Sequence, residues 1–206
     1  MKLLDCYLPM FKHVLYIIEN KYLFENYEPV REQCTLILEQ SISCANSLEY
    51  INIEEKELAR FAVIAWIDEI LLRASLPWQK YWQTELLQQK YLNTSIAGQL
   101  FFTFLSQLTS NQHSVRCIFL FCLQNDFRGK YNTQETQPVL LDIILRQRTL
   151  LLDDDWLLWP NNTEITPCII ETKSENSVKQ YLLPILTVIT LLLYTLIFSL
   201  LSFYVD

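Results

Sequence analysis

Glycine is almost absent from this chain. Gly98 and Gly129 are the only two in 206 residues. That scarcity excludes glycine-rich phosphate loops, dinucleotide-binding turns and nucleophile elbows, which need several glycines where the backbone turns sharply or meets a ligand. Histidine is nearly as scarce. His13 and His113 lie far apart and neither has a ligand-like neighbour at helical spacing, so surface or capping roles suit them better than metal or base roles. The six cysteines (Cys6, Cys34, Cys44, Cys117, Cys122 and Cys168) contain no CxxC pair and sit mostly in apolar helical patterns. Buried thiols in a reducing compartment are the expectation. A basic balance is lacking too: the net charge is −7, which argues against a nucleic-acid footprint and favours partners with basic patches. There is no period-2 strand pattern, no internal repeat and no sustained heptad. The first ten residues lack the apolar core of a signal peptide, since Asp5 and Pro9 interrupt it. The domain is therefore expected to stay on the side of the membrane where it is made.

What the chain does have is a long uncharged terminus. From Gln180 to Val205 no residue is charged, and Lys179 and Asp206 bracket the run. Leu182 to Val205 contains nine Leu, three Ile, two Val and two Phe. A helix of that length rises about 36 Å, enough to cross a hydrocarbon core of about 30 Å. Each such residue near the centre contributes roughly −0.3 to −0.6 kcal/mol to insertion, which outweighs the scattered Thr and Ser. Pro184 falls in the first turn, where its missing N–H costs little. A single membrane anchor over 181–205 is predicted, behind a linker at 156–180 and a domain at 1–155. Lys173 and Lys179 precede the run, in keeping with an N-terminal side in the cytoplasm and a C-terminus in the periplasm. On a helical wheel Thr187, Thr195, Ser199 and Ser202 fall in one half, where small hydroxyl residues permit a transmembrane helix–helix contact.

Before that run the periodicity is helical throughout. Seven helices are predicted: about 7–24, 29–47, 53 to just before Pro77, 78–92, 96–108, 115–124 and 138–152. Asn52 with Glu55 three residues on reads as a capping box, and Ser95 and Ser114 as further caps. Residues 125–136 are polar, hold Gly129 and read as a loop. The fold class is all-α, a helical bundle.

No constellation for catalysis emerges. Asp153 to Asp155 read as a solvated helix end. Asp68 and Glu69 are the more informative pair, because they interrupt the apolar stretch Phe61–Leu72. Adjacent helical carboxylates point about 100° apart. Either they form the solvated edge of an amphipathic helix, or they line a groove that binds a basic surface. No nucleophile, metal ligand or oxyanion donor accompanies them, so an enzyme is not expected.

The stretch from Phe61 to Leu108 nevertheless carries a resemblance. Ala65, Asp68, Glu69, Pro77, Trp78, Trp82, Leu86, Leu87, Gly98, Phe101 and Phe102 match an alanine-rich helix ending in Asp-Glu, a Pro-Trp pair, a Leu-rich helix and a Gly-x-x-Phe-Phe segment. A second run, Ile118 to Tyr131, matches a Leu-rich helix followed by Phe127, Gly129, Lys130 and Tyr131, with Asn125-Asp126 where a glycine is common. Together these resemble the DotU/TssL (IcmH) family of bacterial secretion systems.

The resemblance implies two three-helix bundles forming a hook in the cytoplasm, plus one C-terminal transmembrane helix. It implies a structural subunit of the inner-membrane complex of a type VI machine, or of the related type IVB machine, with no cofactor and no catalysis. The partners implied are the IcmF/TssM-like membrane subunit, cytoplasmic baseplate components and further copies of the chain. The residues expected at partner surfaces are Asp68, Glu69, Trp78, Lys130 and Tyr131. Attachment to the cell wall would fall to another subunit. The competing readings are an unrelated tail-anchored interaction protein, or a membrane-tethered hydrolase that would need a convergent site the sequence does not offer.

Overall fold

The computed structural model of the chain describes residues 1–151. Among these there are eight α-helices, one turn of 3-10 helix and no strand. The anchor, the linker and the four hydroxyl residues proposed for a transmembrane contact lie outside the described residues. No helix among the described residues is long and apolar enough to cross a membrane.

Helix α1 spans Leu3–Glu19, earlier than the periodicity suggested, and a 3-10 turn at Lys21–Leu23 follows it. Its buried residues Leu3, Cys6, Tyr7, Met10, Phe11, Val14 and Ile17 recur at steps of three and four, which is one helical face. The Lys2 amide donates to the Asp5 carboxylate at 2.6 Å and closes the N-terminus. Helix α2, Tyr27–Asn46, takes Pro29 into its first turn, where no amide partner is lost. Helix α3, Ile53–Arg73, has the predicted Asn52 cap, whose Oδ1 accepts the Glu55 amide at 2.7 Å; the return bond runs from Asn52 Nδ2 to the Glu55 carboxylate at 3.2 Å, in place of the backbone amide that a capping box uses.

Helix α3 is the centre of the molecule. Every residue from Phe61 to Asp68 is buried, so it is enclosed on all sides rather than along one stripe. It packs against α1 and α2, and against α4 (Gln79–Thr84), α5 (Leu87–Leu92), α6 (Ala97–Gln107) and α7 (His113–Gln124). Helix α8, Gln137–Leu151, rests on α7. The indoles of Trp66, Trp78 and Trp82 are fully buried around α3. Large buried side chains of this kind contribute about 1.5–3 kcal/mol or more each.

Three expectations are corrected. The single helix expected over 78–92 is two helices, because Leu86 is extended and α5 begins anew at Leu87. Neither Ser95 nor Ser114 caps a helix. Ile96 and Gln112 hold those positions, and the Gln88 side chain accepts the Ala97 amide at 3.0 Å instead. Cys6 and Cys44 are joined in a disulfide between α1 and α2, with Cα atoms 5.5 Å apart, whereas Cys34, Cys117 and Cys122 are thiols. A separation of 38 residues gave no hint of the pairing. The packing of α1 on α2 creates it.

Candidate functional site

The aspartate–glutamate pair sits about three-quarters of the way along α3, and its two carboxylates leave the helix in different directions. Asp68 is 1% exposed. One oxygen accepts the Trp82 indole N–H at 2.9 Å and the Leu87 amide at 3.0 Å, and the other accepts the Gln88 amide at 2.8 Å. Leu87 and Gln88 are the first two residues of α5, and that helix has no cap from its own segment. Asp68 supplies the cap from α3, which is why the chain breaks between α4 and α5. Burial is the largest influence on this carboxyl and pushes it up to about 6, while the three hydrogen bonds and Arg31 pull the other way.

Glu69 does the same for a different segment. One oxygen accepts the Arg128 amide at 2.8 Å and the other the Gly129 amide at 2.8 Å. Arg73, one turn on, donates to the first oxygen at 3.0 Å and also to the Asp126 carbonyl at 2.8 Å. Trp66 donates its indole N–H to the Asn125 carbonyl at 2.9 Å. Trp66, Glu69 and Arg73 thus form one face of α3, spaced three and four apart, that grips the turn from 125 to 129. Burial raises the Glu69 carboxyl, again against its amide hydrogen bonds.

In that turn Asp126 adopts φ +68°, the left-handed conformation a glycine would take, which Asp tolerates better than most residues. Arg73 and Arg128 both pair with its carboxylate. Gly129 also has positive φ, +52°. A Cβ there would lie 2.4 Å from the Gly98 carbonyl oxygen and 2.7 Å from the Phe102 ring. The two glycines of the chain therefore meet across the fold, α6 against the turn. Phe101, Phe102, Phe127 and Tyr131 close round the contact, with ring centres 4.1 Å apart for Phe101 and Phe127 and 4.7 Å for Phe102 and Tyr131.

The residues expected at partner surfaces are consequently of two kinds. Asp68 and Trp78 are interior: Trp78 is 2% exposed, and its indole N–H donates to the Phe24 carbonyl at 2.7 Å. Glu69 is mostly covered. Neither carboxylate lines an open groove, because backbone amides occupy them. Lys130 and Tyr131 do reach a surface. They line a groove of about 340 Å³ with Phe102, Ser106 and, from α8, Ile143 and Arg146. Lys130 Nζ lies 5.2 Å from the Tyr131 ring centre and 5.8 Å from that of Phe102. Residues at 31–39 and 85–90 line a larger groove, of about 750 Å³, that sequence reasoning missed. Its one sequence signal is Leu36, an extra apolar residue on α2 beside the buried Cys34 and Leu38. No group of three or more His, Cys, Asp or Glu side chains able to hold a metal occurs among the described residues.

The sequence model of the DotU family, described as type VI secretion system protein DotU, matches residues 2–205. The chain belongs to the DotU family. DotU and TssL proteins are structural subunits of secretion systems associated with the inner membrane, not enzymes. The fold of this DotU-family chain is similar to the solved cytoplasmic domain of TssL from Acinetobacter baumannii. That match has a TM-score of 0.61 at 23% identity, and covers 73% of this chain and 99% of the other. No curated protein matches the sequence.

Proposed function

We propose that this DotU-family protein is a structural subunit of the inner-membrane complex of a type VI secretion system, holding an IcmF/TssM-like membrane subunit and the cytoplasmic baseplate in register. The observation that carries this is the family match over residues 2–205, nearly the whole sequence. The uncharged run from Gln180 to Val205 supports a single anchor, with the helical domain in the cytoplasm and the C-terminus in the periplasm. The type IVB machine is the alternative setting for the same role.

In this reading the domain binds rather than turns over a substrate. Helices α1, α2 and α3 pack pairwise, and α6 and α7 pack on α3 as well, with α7 also meeting α1 and α8. We take these as the two bundles of the hook. Lys130 and Tyr131 present a contact surface, whereas Asp68, Glu69 and Trp78 act from inside by fixing the segments that carry such surfaces. Self-association runs through the terminal helix, by Thr187, Thr195, Ser199 and Ser202.

Native membranes provide the test. The tagged chain should co-purify with an IcmF/TssM-like subunit and baseplate proteins, and a reporter fused after Asp206 should be active only in the periplasm. Isolation without either class of partner, or a cytoplasmic reporter, overturns the reading.

A further inference from the structure

The larger groove has two walls. One is α2, through Arg31, Glu32, Thr35, Leu36 and Glu39. The other is the junction of α4 and α5 from Glu85 to Lys90, the junction that Asp68 creates from below. Two hydrogen bonds fix the walls at their edges: the Tyr27 hydroxyl to the Glu85 carboxylate at 3.1 Å, and the Tyr91 hydroxyl to Glu39 at 3.0 Å.

The floor is apolar and the rim is acidic. Leu36 is 56% exposed, although its helix has a complete buried face elsewhere, and Leu86 lies half-buried across from it. Tyr81, 65% exposed, stacks on Tyr27, whose hydroxyl bonds Glu85 of the groove. The carboxylates of Glu32, Glu39 and Glu85 are all exposed. Glu32 has no hydrogen bond or ion pair among the described residues. Of the two cations, the Arg31 guanidinium lies over the Trp82 ring at 4.6 Å, and its charge acts on buried Asp68. Lys90 is the remaining cation, so the rim is negative.

We propose that this groove is a docking site for an amphipathic helix of a partner protein, with leucine-like residues on its inner face and Lys or Arg flanking them. One wall is a helix and the other a helix junction whose Leu87 and Gln88 amides are already taken by Asp68, so the groove offers side chains and no sheet edge; a helix laid in it is the binding mode that uses them. The acidic rim selects a basic flank. A second copy of the chain is a poor occupant, because its own net charge is −7. The proposal rests on the reading of the domain as a binding scaffold, and it assigns that scaffold a surface distinct from Lys130 and Tyr131.

The test uses the full chain in phosphatidylcholine nanodiscs and two synthetic amphipathic helices, alike except for Lys or Glu beside the leucines. The Lys helix should bind in fluorescence anisotropy, more weakly as salt is added, and the Glu helix should not. The double variant Glu32→Lys, Glu39→Lys should weaken the Lys helix by about tenfold or more and gain affinity for the Glu helix. That gain also reports that the variant is folded. Leu36→Asp should weaken the Lys helix by putting a charge on the apolar floor. Equal binding of the two helices, binding unchanged in the double variant, or binding matched by empty nanodiscs overturns the proposal. So does concentration-dependent self-association abolished by Leu36→Asp, which would make the occupant a second copy. This assay speaks only to the groove, and co-purification from membranes speaks to the scaffold, so either can fail alone.

Discussion

Asp68 and Glu69 are neighbours with the same task and opposite surroundings. Each carboxylate holds two backbone amides of a distant segment, Asp68 at the start of α5 and Glu69 in the turn before α8. Asp68 is sealed, and its third donor is an indole. Glu69 is part of an ionic cluster with Arg73, Asp126 and Arg128 that opens to water. The difference shows how one dipeptide can fasten two sides of a central helix: the shorter side chain where the segment packs tightly, the longer where it must reach a turn. It also separates a site that depends on burial from one that depends on charge and on glycine.

Breaking the turn side at its glycine should have the largest effect. Gly129→Val forces a branched side chain into positive φ and into the Gly98 carbonyl. Strain and overpacking together should cost about 3–5 kcal/mol, seen as a large fall in the denaturation midpoint. A midpoint near wild type would mean that the two glycines do not touch.

Breaking the sealed side comes next. Asp68→Ala strips the acceptor from two buried donors and one half-buried one, at about 1–3 kcal/mol for an unsatisfied group and partly relieved by relaxation, so a total of about 3 kcal/mol is expected. Amide hydrogen exchange should speed up at Leu87 and Gln88 more than at Arg128 and Gly129. Equal changes at both places would remove the distinction between the two sides.

The pH dependence sharpens the comparison. The Asp68 carboxyl stands at about 6 in the folded chain against an ordinary 3.8. The folded state therefore holds this proton more tightly than the unfolded one. The cost of its buried charge is complete above about pH 6 and is relieved as pH falls toward about 4, a difference of roughly 3 kcal/mol. Wild type should gain stability over that window relative to Asp68→Asn, by denaturant titration at each pH. Parallel profiles would show that the carboxyl titrates as if in water.

The smallest effect should come from the exposed part of the ionic cluster. Arg73→Gln removes pairs in which the arginine is a third exposed and Asp126 more than half, so solvent screens them and about 0.5–1 kcal/mol is expected, lost in high salt. A cost as large as that of Asp68→Ala would make the turn side as dependent on burial as the other.

The sequence by itself determined that the chain is helical, roughly where most of its helices lie, and the family. Periodicity at three and four residues placed α1, α2, α3, α6, α7 and α8 close to where they lie, and the Asn52 cap was legible because its partner Glu55 is three residues away. Such local signals survive without tertiary context. The importance of Asp68 and Glu69 was also legible, since charge inside an apolar helix demands a reason. What that reason is, only the tertiary structure decided. The donors come from Trp82, Leu87, Gln88, Arg128 and Gly129, up to 60 residues away, and nothing in the local sequence marks them as partners. The same holds for the break between α4 and α5, for the meeting of Gly98 with Gly129, and for Cys6 with Cys44. Each depends on which helix faces come together around α3, and side-chain periodicity fixes a face without naming its neighbour.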